Sequence, residues 1–260
     1  MRVIALVKEV PDPDAPVTLD EAGNVVAADV PFLPSTYDEN AIEAAVTMKE
    51  EVGGQVTVMT LGAPAAEKTL VHAMAVGADE GVLIEEPPWP LDGYGVAEVL
   101  AAAVTKLGGF DVILCGREAA DTSAGLVGPT IAEILGCPAV TLVARITAQA
   151  DHLQVERLAE DGYDLMECRP PLLLTVGGQV NRPRYPPVMA MMQARRKGVQ
   201  RWRLEELGVD RERVGRTQSY VKVLRRYLPP QDSRCHFIEG TTEEEKALAL
   251  IARLREERAI

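Results

Sequence analysis

Through its first two thirds the chain alternates short apolar runs with longer stretches whose apolar positions recur at helical spacing. The runs RVIALV, QVTVMTL, GVLIEE, DVILCG and AVTLVARI are nearly unbroken, the pattern of strands covered on both faces of a parallel sheet. Between them stand YDENAIEAAVTMKEEV, with Ala41, Ile42, Ala45, Val46 and Met48 on one face, then APAAEKTLVHAMAVGA, GVAEVLAAAVTKLG and GLVGPTIAEILG. Each is long enough to cross over a sheet, and Gly53-Gly54, Gly77, Gly108-Gly109 and Gly136 follow these stretches where helices commonly end. The alternation predicts an α/β fold, a mostly parallel sheet with crossover helices.

Two excursions break the rhythm. VTLDEAGNVVA reads as two extended runs around Ala22-Gly23-Asn24, and HLQVERLAEDGYDLMEC alternates around Asp161-Gly162, so each predicts a small hairpin. PPLLLTVG supplies one more buried strand. After Val180 comes NRPRYPPVMAMMQARRKGVQRWRLEELG, rich in proline and arginine, which fits neither helical nor strand spacing and is poor material for a central strand. The final TTEEEKALALIARLREERA predicts a helix: Thr241 or Thr242 caps it, Glu243 to Glu245 suit its positive start, and arginines crowd its end. Its apolar stripe, Ala247, Leu248, Leu250, Ile251 and Leu254, needs a cover.

Composition narrows the function. With 39 acidic against 27 basic side chains in 260 residues the formal charge is -12, which disfavours a nucleic-acid binder that must neutralise phosphates. The charge is uneven, since 18 of the 27 Lys and Arg lie after Pro170, as an exposed basic surface or a docking surface would require. Cys115, Cys137, Cys168 and Cys235 stand far apart with no ligand spacing to His72, His152 or His236, so no metal site is expected. Cys115, inside DVILCG, reads as a buried reduced thiol. No segment approaches the roughly 20 apolar residues of a membrane span, and the opening MRVIALVKEVPD lacks a signal-peptide pattern, so a cytoplasmic protein without membrane insertion is expected.

Ligands of an open parallel sheet settle beyond the carboxyl ends of its strands, where the winding reverses. Three loops qualify. LVKEVPDPD brings Lys8 and Asp12 directly after the first strand, and TLGAPA brings Gly62 after QVTVMTL. CGREAADTSAGLVGPT is the most informative, because Gly116, a polar DTSAG stretch and Gly125 or Gly128 precede a helical run whose backbone N–H groups suit a phosphate. A Gly-rich turn capped by Thr122 or Ser123 reads the same residues without a ligand. Neither GxGxxG nor GxxxxGK[ST] occurs. No histidine accompanies Asp121 and Ser123, and no carboxylate pair is marked by spacing, so no bond-breaking constellation is expected.

The phrases LVKEVPDP, STYDENAIEAAVTMKE, HAMAVGADEGVLI, GREAADTSAGLVGPTIAEILGCP and LQVERL, then NRPRYPPVMAMMQARRK followed by ELGVD, together resemble the beta subunits of electron-transfer flavoproteins across nearly the whole chain. The resemblance implies an adenine-nucleotide alpha-hydrolase or universal-stress-like, Rossmann-like domain over 1–180, with strand additions at 152–180. It also implies a recognition loop and C-terminal extended arm with terminal helix over 181–260, contacting an alpha subunit. It implies an electron carrier that is no enzyme by itself, shuttling electrons from acyl-CoA-type dehydrogenases in fatty acid beta-oxidation toward a quinone oxidoreductase. FAD is then shared with the alpha subunit, and AMP, or a second FAD in the bifurcating branch, occupies the beta pocket.

Carried over by position, that pocket comprises Leu6, Ser35, Leu61, Gly62, Gly116, Asp121, Thr122, Ser123, Ala124, Gly125, Leu126, Val127 and Gly128. The family usually has Asn-Pro where Ser35 and Thr36 stand, and acidic residues with a Gln or Asn where Thr122, Gly125 and Leu126 stand, so fewer side chains would reach the nucleotide. The segment from Arg184 to Lys197 resembles the family's docking loop, with Val188 as aliphatic anchor and Tyr185, Met189, Met191, Met192, Arg195, Arg196 and Lys197 around it. A stand-alone adenine-nucleotide-binding protein of universal-stress type is the alternative the fold permits.

Overall fold

The computed structural model describes residues 1–21, 25–26, 30–210, 212, 214, 219–229 and 235–260. Its centre is a nine-stranded sheet. In chain order its strands are β1 (Arg2–Leu6), β6 (Gln55–Gly62), β7 (Glu80–Glu85), β8 (Val112–Gly116), β9 (Ala139–Ala148), β10 (Leu153–Ala159), β11 (Gly162–Cys168), β12 (Leu172–Val176) and β13 (Gln200–Trp202). Their spatial order is β11-β10-β9-β12-β8-β1-β6-β7-β13. Every pairing from β9 to β13 is parallel, and only the β10–β11 hairpin joins antiparallel, with Ala159 opposite Gly162. Two short antiparallel pairs stand apart, β2 (Glu9–Pro11) with β5 (Phe32–Pro34) and β3 (Thr18–Leu19) with β4 (Val25–Val26). The turn expected at Ala22-Gly23-Asn24 lies outside the described residues.

The strand alternation sorts the core into two layers. Val3, Ala5, Val56 and Val58 point to one face, where α1 (Thr36–Val52), α2 (Glu67–Val76) and α5 (Val188–Lys197) cover them. Ile4, Leu6 and Met59 point to the other, under α3 (Gly93–Leu107) and α4 (Val127–Leu135). Helices on both faces of a mostly parallel sheet make the doubly wound α/β class, as the alternation predicted. Each crossover strand is apolar on both sides because each side meets a helix.

The region after Val180 differs from the expectation. Val188–Lys197 is a helix, though its spacing predicted no element, because only Ala190, Met191 and Ala194 turn inward over ten residues, too few to print a period. Pro186 and Pro187 sit just before it, where the missing N–H costs nothing. Gln200–Trp202 then returns to the sheet beside β7, so residues 181–207 ride on the same body as 1–180. Beyond Gly208, Val209 and Val214 still pack on the core, whereas the described residues 219–229 are exposed, and α6 (Glu243–Glu256) buries no residue and is capped by a Thr242–Glu245 box. Among the described residues no helix is long and apolar enough to cross a membrane, and no cluster of His, Cys, Asp or Glu is arranged for a metal.

Candidate nucleotide site and docking segment

β1 pairs with β6 on one side and β8 on the other, so the winding reverses between β1 and β8 and opens a crevice beyond their carboxyl ends. Its floor is built by the first turn of α1. Asp38 lies 6% exposed there, with Oδ2 accepting the Lys8 N–H at 2.8 Å and Oδ1 the Gly116 N–H at 2.8 Å. One carboxyl thus ties β1 to β8. Burial pushes its pKa up to about 7, against the opposing pull of those two N–H donors and the Lys8 charge. The fit demands glycine at 116, since a Cβ would stand 2.6 Å from Asp38 Oδ1.

Ser35, fully buried, accepts the Ala120 N–H at 3.1 Å through Oγ, and its own N–H donates to the Lys8 carbonyl at 2.8 Å. Lys8 Nζ meets Asp121 at 2.6 Å. These two ties draw the loop after β8 onto the loop after β1. Thr122, Ser123, Ala124, Gly125 and Leu126 then run exposed along the rim, with Ser123 and Gly125 both at positive φ. Leu126 opens α4 without any side-chain cap, so the amides of Val127 and Gly128 keep no partner from the helix itself. Gly128 is buried, and a Cβ on it would stand 2.8 Å from Cys115 Sγ and 3.0 Å from Thr175 Cγ2. The amino end of α4 therefore lies close on β8 and β12. Leu6 is buried at the end of β1, and Leu61 and Gly62 close β6. The residues expected from sequence thus stand at or just beyond the carboxyl ends of β1, β6 and β8 and at the start of α4, where helix N–H groups are left for an anion while the Lys8 ammonium is paired with Asp121.

Asp38 went unread in the sequence. Standing three residues after Ser35 it looks like half of a capping box, yet the carboxyl leaves the helix to join two strands, a purpose only the topology reveals. Cys115 lies beneath the crevice, where burial and the Asp38 charge raise its thiol pKa, so it is an inert hydrophobe.

The residues expected to dock lie on α5, which packs on α2, and on its lead-in, which is held by α1. Tyr185 is 96% exposed and Val188 76%, with Met189 and Met192 also exposed, whereas Met191 is half-buried against the core. Arg195, Arg196 and Lys197 crowd the exposed last turn, where cations suit the helix dipole. Ahead of them, Arg184 binds both Glu43 and Glu50 on α1, an arrangement the sequence did not disclose.

Residues 23–207 match the family model described as Electron transfer flavoprotein domain. The electron transfer flavoprotein subunit beta of Thermoanaerobacterium thermosaccharolyticum is 36% identical over 247 residues, 94% of each chain. Caffeyl-CoA reductase-Etf complex subunit CarD of Acetobacterium woodii is 35% identical over all of both chains. The subunit beta of Bacillus subtilis is 32% identical over 99% of this chain and 98% of its own. A family match across most of the sheet, joined to end-to-end relatives carrying these names, shows that the chain belongs to the electron transfer flavoprotein family, among its beta subunits, with a role in electron transfer.

Proposed function

We propose that the chain is the beta half of a heterodimer in which the alpha subunit holds most of the redox-active FAD, and that its crevice holds an adenine nucleotide, AMP or the adenine end of a second FAD. The observation that carries this reading is the uncapped amino end of α4, which lies close on β8 and β12 and is reached by the loop that leaves the carboxyl end of β8 beside the switch point. Helix N–H groups and the Lys8 ammonium supply what a phosphate needs, and exposed Ser123 can add a hydroxyl. The flavin supplies the redox chemistry; the chain binds, orients and docks, and breaks no bond of its own. Residues 1–180 carry the nucleotide end, and 181–260 carry the partner-facing segments. Val188 and its neighbours meet acyl-CoA-type dehydrogenases, and the pair hands electrons toward a quinone oxidoreductase. The arm from Tyr220 to Leu228 and α6 supply the apolar surface for the alpha subunit, with Leu224 86% exposed and Leu248 62% exposed.

The test is to co-express the chain with its alpha subunit, release the bound nucleotides and identify them by mass. One FAD and one AMP per heterodimer, or two FAD, supports the reading, and the choice between them names the occupant. A heterodimer with flavin but no second nucleotide removes the crevice from the function. A chain that holds nucleotide and never pairs with alpha returns it to the stand-alone alternative.

A further inference from the structure

Between β12 and α5 the chain runs for eleven residues, 177–187, without helix or strand. Its path is nevertheless fixed, by one face of α1. Asn40 Nδ2 donates to the Asn181 carbonyl at 3.1 Å and to its Oδ1 at 2.9 Å, and Asn181 Nδ2 donates back to the Asn40 carbonyl at 2.9 Å. Three residues on, Arg184 spreads its guanidinium across two carboxylates. Nε reaches both Glu43 oxygens at 3.0 Å and Nη2 reaches Glu43 Oε1 at 2.9 Å. Nη1 and Nη2 reach the two Glu50 oxygens at 2.7 and 2.9 Å. The Arg184 backbone N–H also donates to Glu43 Oε2 at 3.1 Å. Both partners hold the arginine charged and raise its pKa.

We propose that Arg184 is a positioning residue for docking of the electron-donating enzyme: by gripping Glu43 and Glu50 it presets Tyr185 and Val188 before the partner arrives. The inference rests on the docking reading above. α1 does not need the arginine, because its sheet-facing side is already filled by Ala41, Ile42, Ala45 and Met48. The far end of α5 does not need it either, since Ala194 is buried and β13 pairs with β7. What the clamp adds to the Asn40–Asn181 pair is a hold on the proline-punctuated end of the lead-in, whose next residue is the almost fully exposed Tyr185. A forked, planar donor is required, since lysine is a point charge that cannot grip two carboxylates in both planes at once. A segment ordered in advance need not be ordered at the cost of binding.

Removing Arg184 alone would strand Glu43, whose side chain is only 9% exposed, so the informative variant is Glu43→Gln with Arg184→Gln, which leaves only the solvent-exposed Glu50 without its partner. The experiment uses the flavin-loaded heterodimer and, as probe, an acyl-CoA dehydrogenase reduced by butyryl-CoA, following flavin reduction against heterodimer concentration. The double variant should raise the half-saturating concentration about tenfold while the limiting rate stays within about twofold. Arg184→Lys should fall between the two, and amides of 185–189 should exchange faster in the double variant without partner. Val188→Ala runs alongside as the test of docking itself. If Val188→Ala weakens half-saturation and the double variant does not, the positioning role is overturned and docking stands. If neither moves it, docking fails and the proposal with it. A limiting rate that collapses together with half-saturation would make Arg184 a structural residue only, and would also overturn the proposal.

Discussion

Asp38→Asn isolates the buried carboxyl that joins β1 to β8. In the parent both carboxyl oxygens accept backbone N–H groups at 2.8 Å. The amide keeps one acceptor and carries its NH2 where the protonated carboxyl carries its O–H, so the variant should match the protonated parent to within about 1–3 kcal/mol. The pH dependence is more diagnostic. Asp38 is raised from 3.8 in the unfolded chain to about 7 in the fold, so between those values the folded state holds a proton that the unfolded state has lost. Stability from this group is therefore greatest near pH 4, falls as pH rises toward 7, and is level above. At about 1.4 kcal/mol per pH step the fall amounts to roughly 4 kcal/mol. Melting of the heterodimer across pH 4–8 should show the parent losing stability relative to the variant as pH rises. Carbon-13 labelling of aspartate should show one carboxyl with a midpoint near 7 that is missing from the variant. Parallel melting profiles, with every aspartate titrating below about 5, would refute the burial argument.

Gly128→Ala places a Cβ 2.8 Å from Cys115 Sγ, so the amino end of α4 must lift; the heterodimer should lose the crevice nucleotide on gel filtration while keeping its flavin. Deleting Thr241 onward removes a helix that buries nothing in this chain, so the beta domain should stay folded by circular dichroism while heterodimer dissociation rises, and a chain that no longer folds would contradict this. An Ellman's-reagent titration at pH 8 should find the exposed Cys235 thiol fast and the half-buried Cys137 and Cys168 slower. Cys115 should stay silent until denaturation, because burial raises its thiol pKa.

The sheet was legible because its strands are covered on both faces and its helices are long enough to print a period; RVIALV and DVILCG carry that signal with no knowledge of their neighbours. The loop after β8 was legible as a glycine-rich stretch leading into a helix, because its signal is local: Gly116 ends the strand, and Ser123 and Gly128 stand beside the start of α4. Asp38, Arg184 and the Asn40–Asn181 pair were not, since their partners lie 78, 141 and 141 residues away and nothing in a local window marks them. α5 escaped notice for a different reason. It is short, half its surface is exposed, and its inward residues are mostly small, so its helicity rests on packing against α2 rather than on its own pattern. Strand β13 is three residues long and depends on its pairing with β7, with Arg201 reaching Glu67 on α2.

That short strand gives the molecule strain relief of the kind used where a cable enters a housing. Before the arm departs, the chain has already been sewn into the sheet edge at Gln200–Trp202, and Trp202 is gripped again by the Lys106 ammonium 4.6 Å from its ring. Farther out, Asp92 holds the Ser219 hydroxyl at 3.0 Å and the Tyr220 N–H at 2.7 Å while also capping α3. A tug on the arm is thus carried into α3 and the sheet edge before it can reach α5. On the reading proposed above, a partner held by the arm could shift or swing without disturbing the exposed face of α5, and two neighbouring segments of one chain would serve two partners as mechanically separate parts.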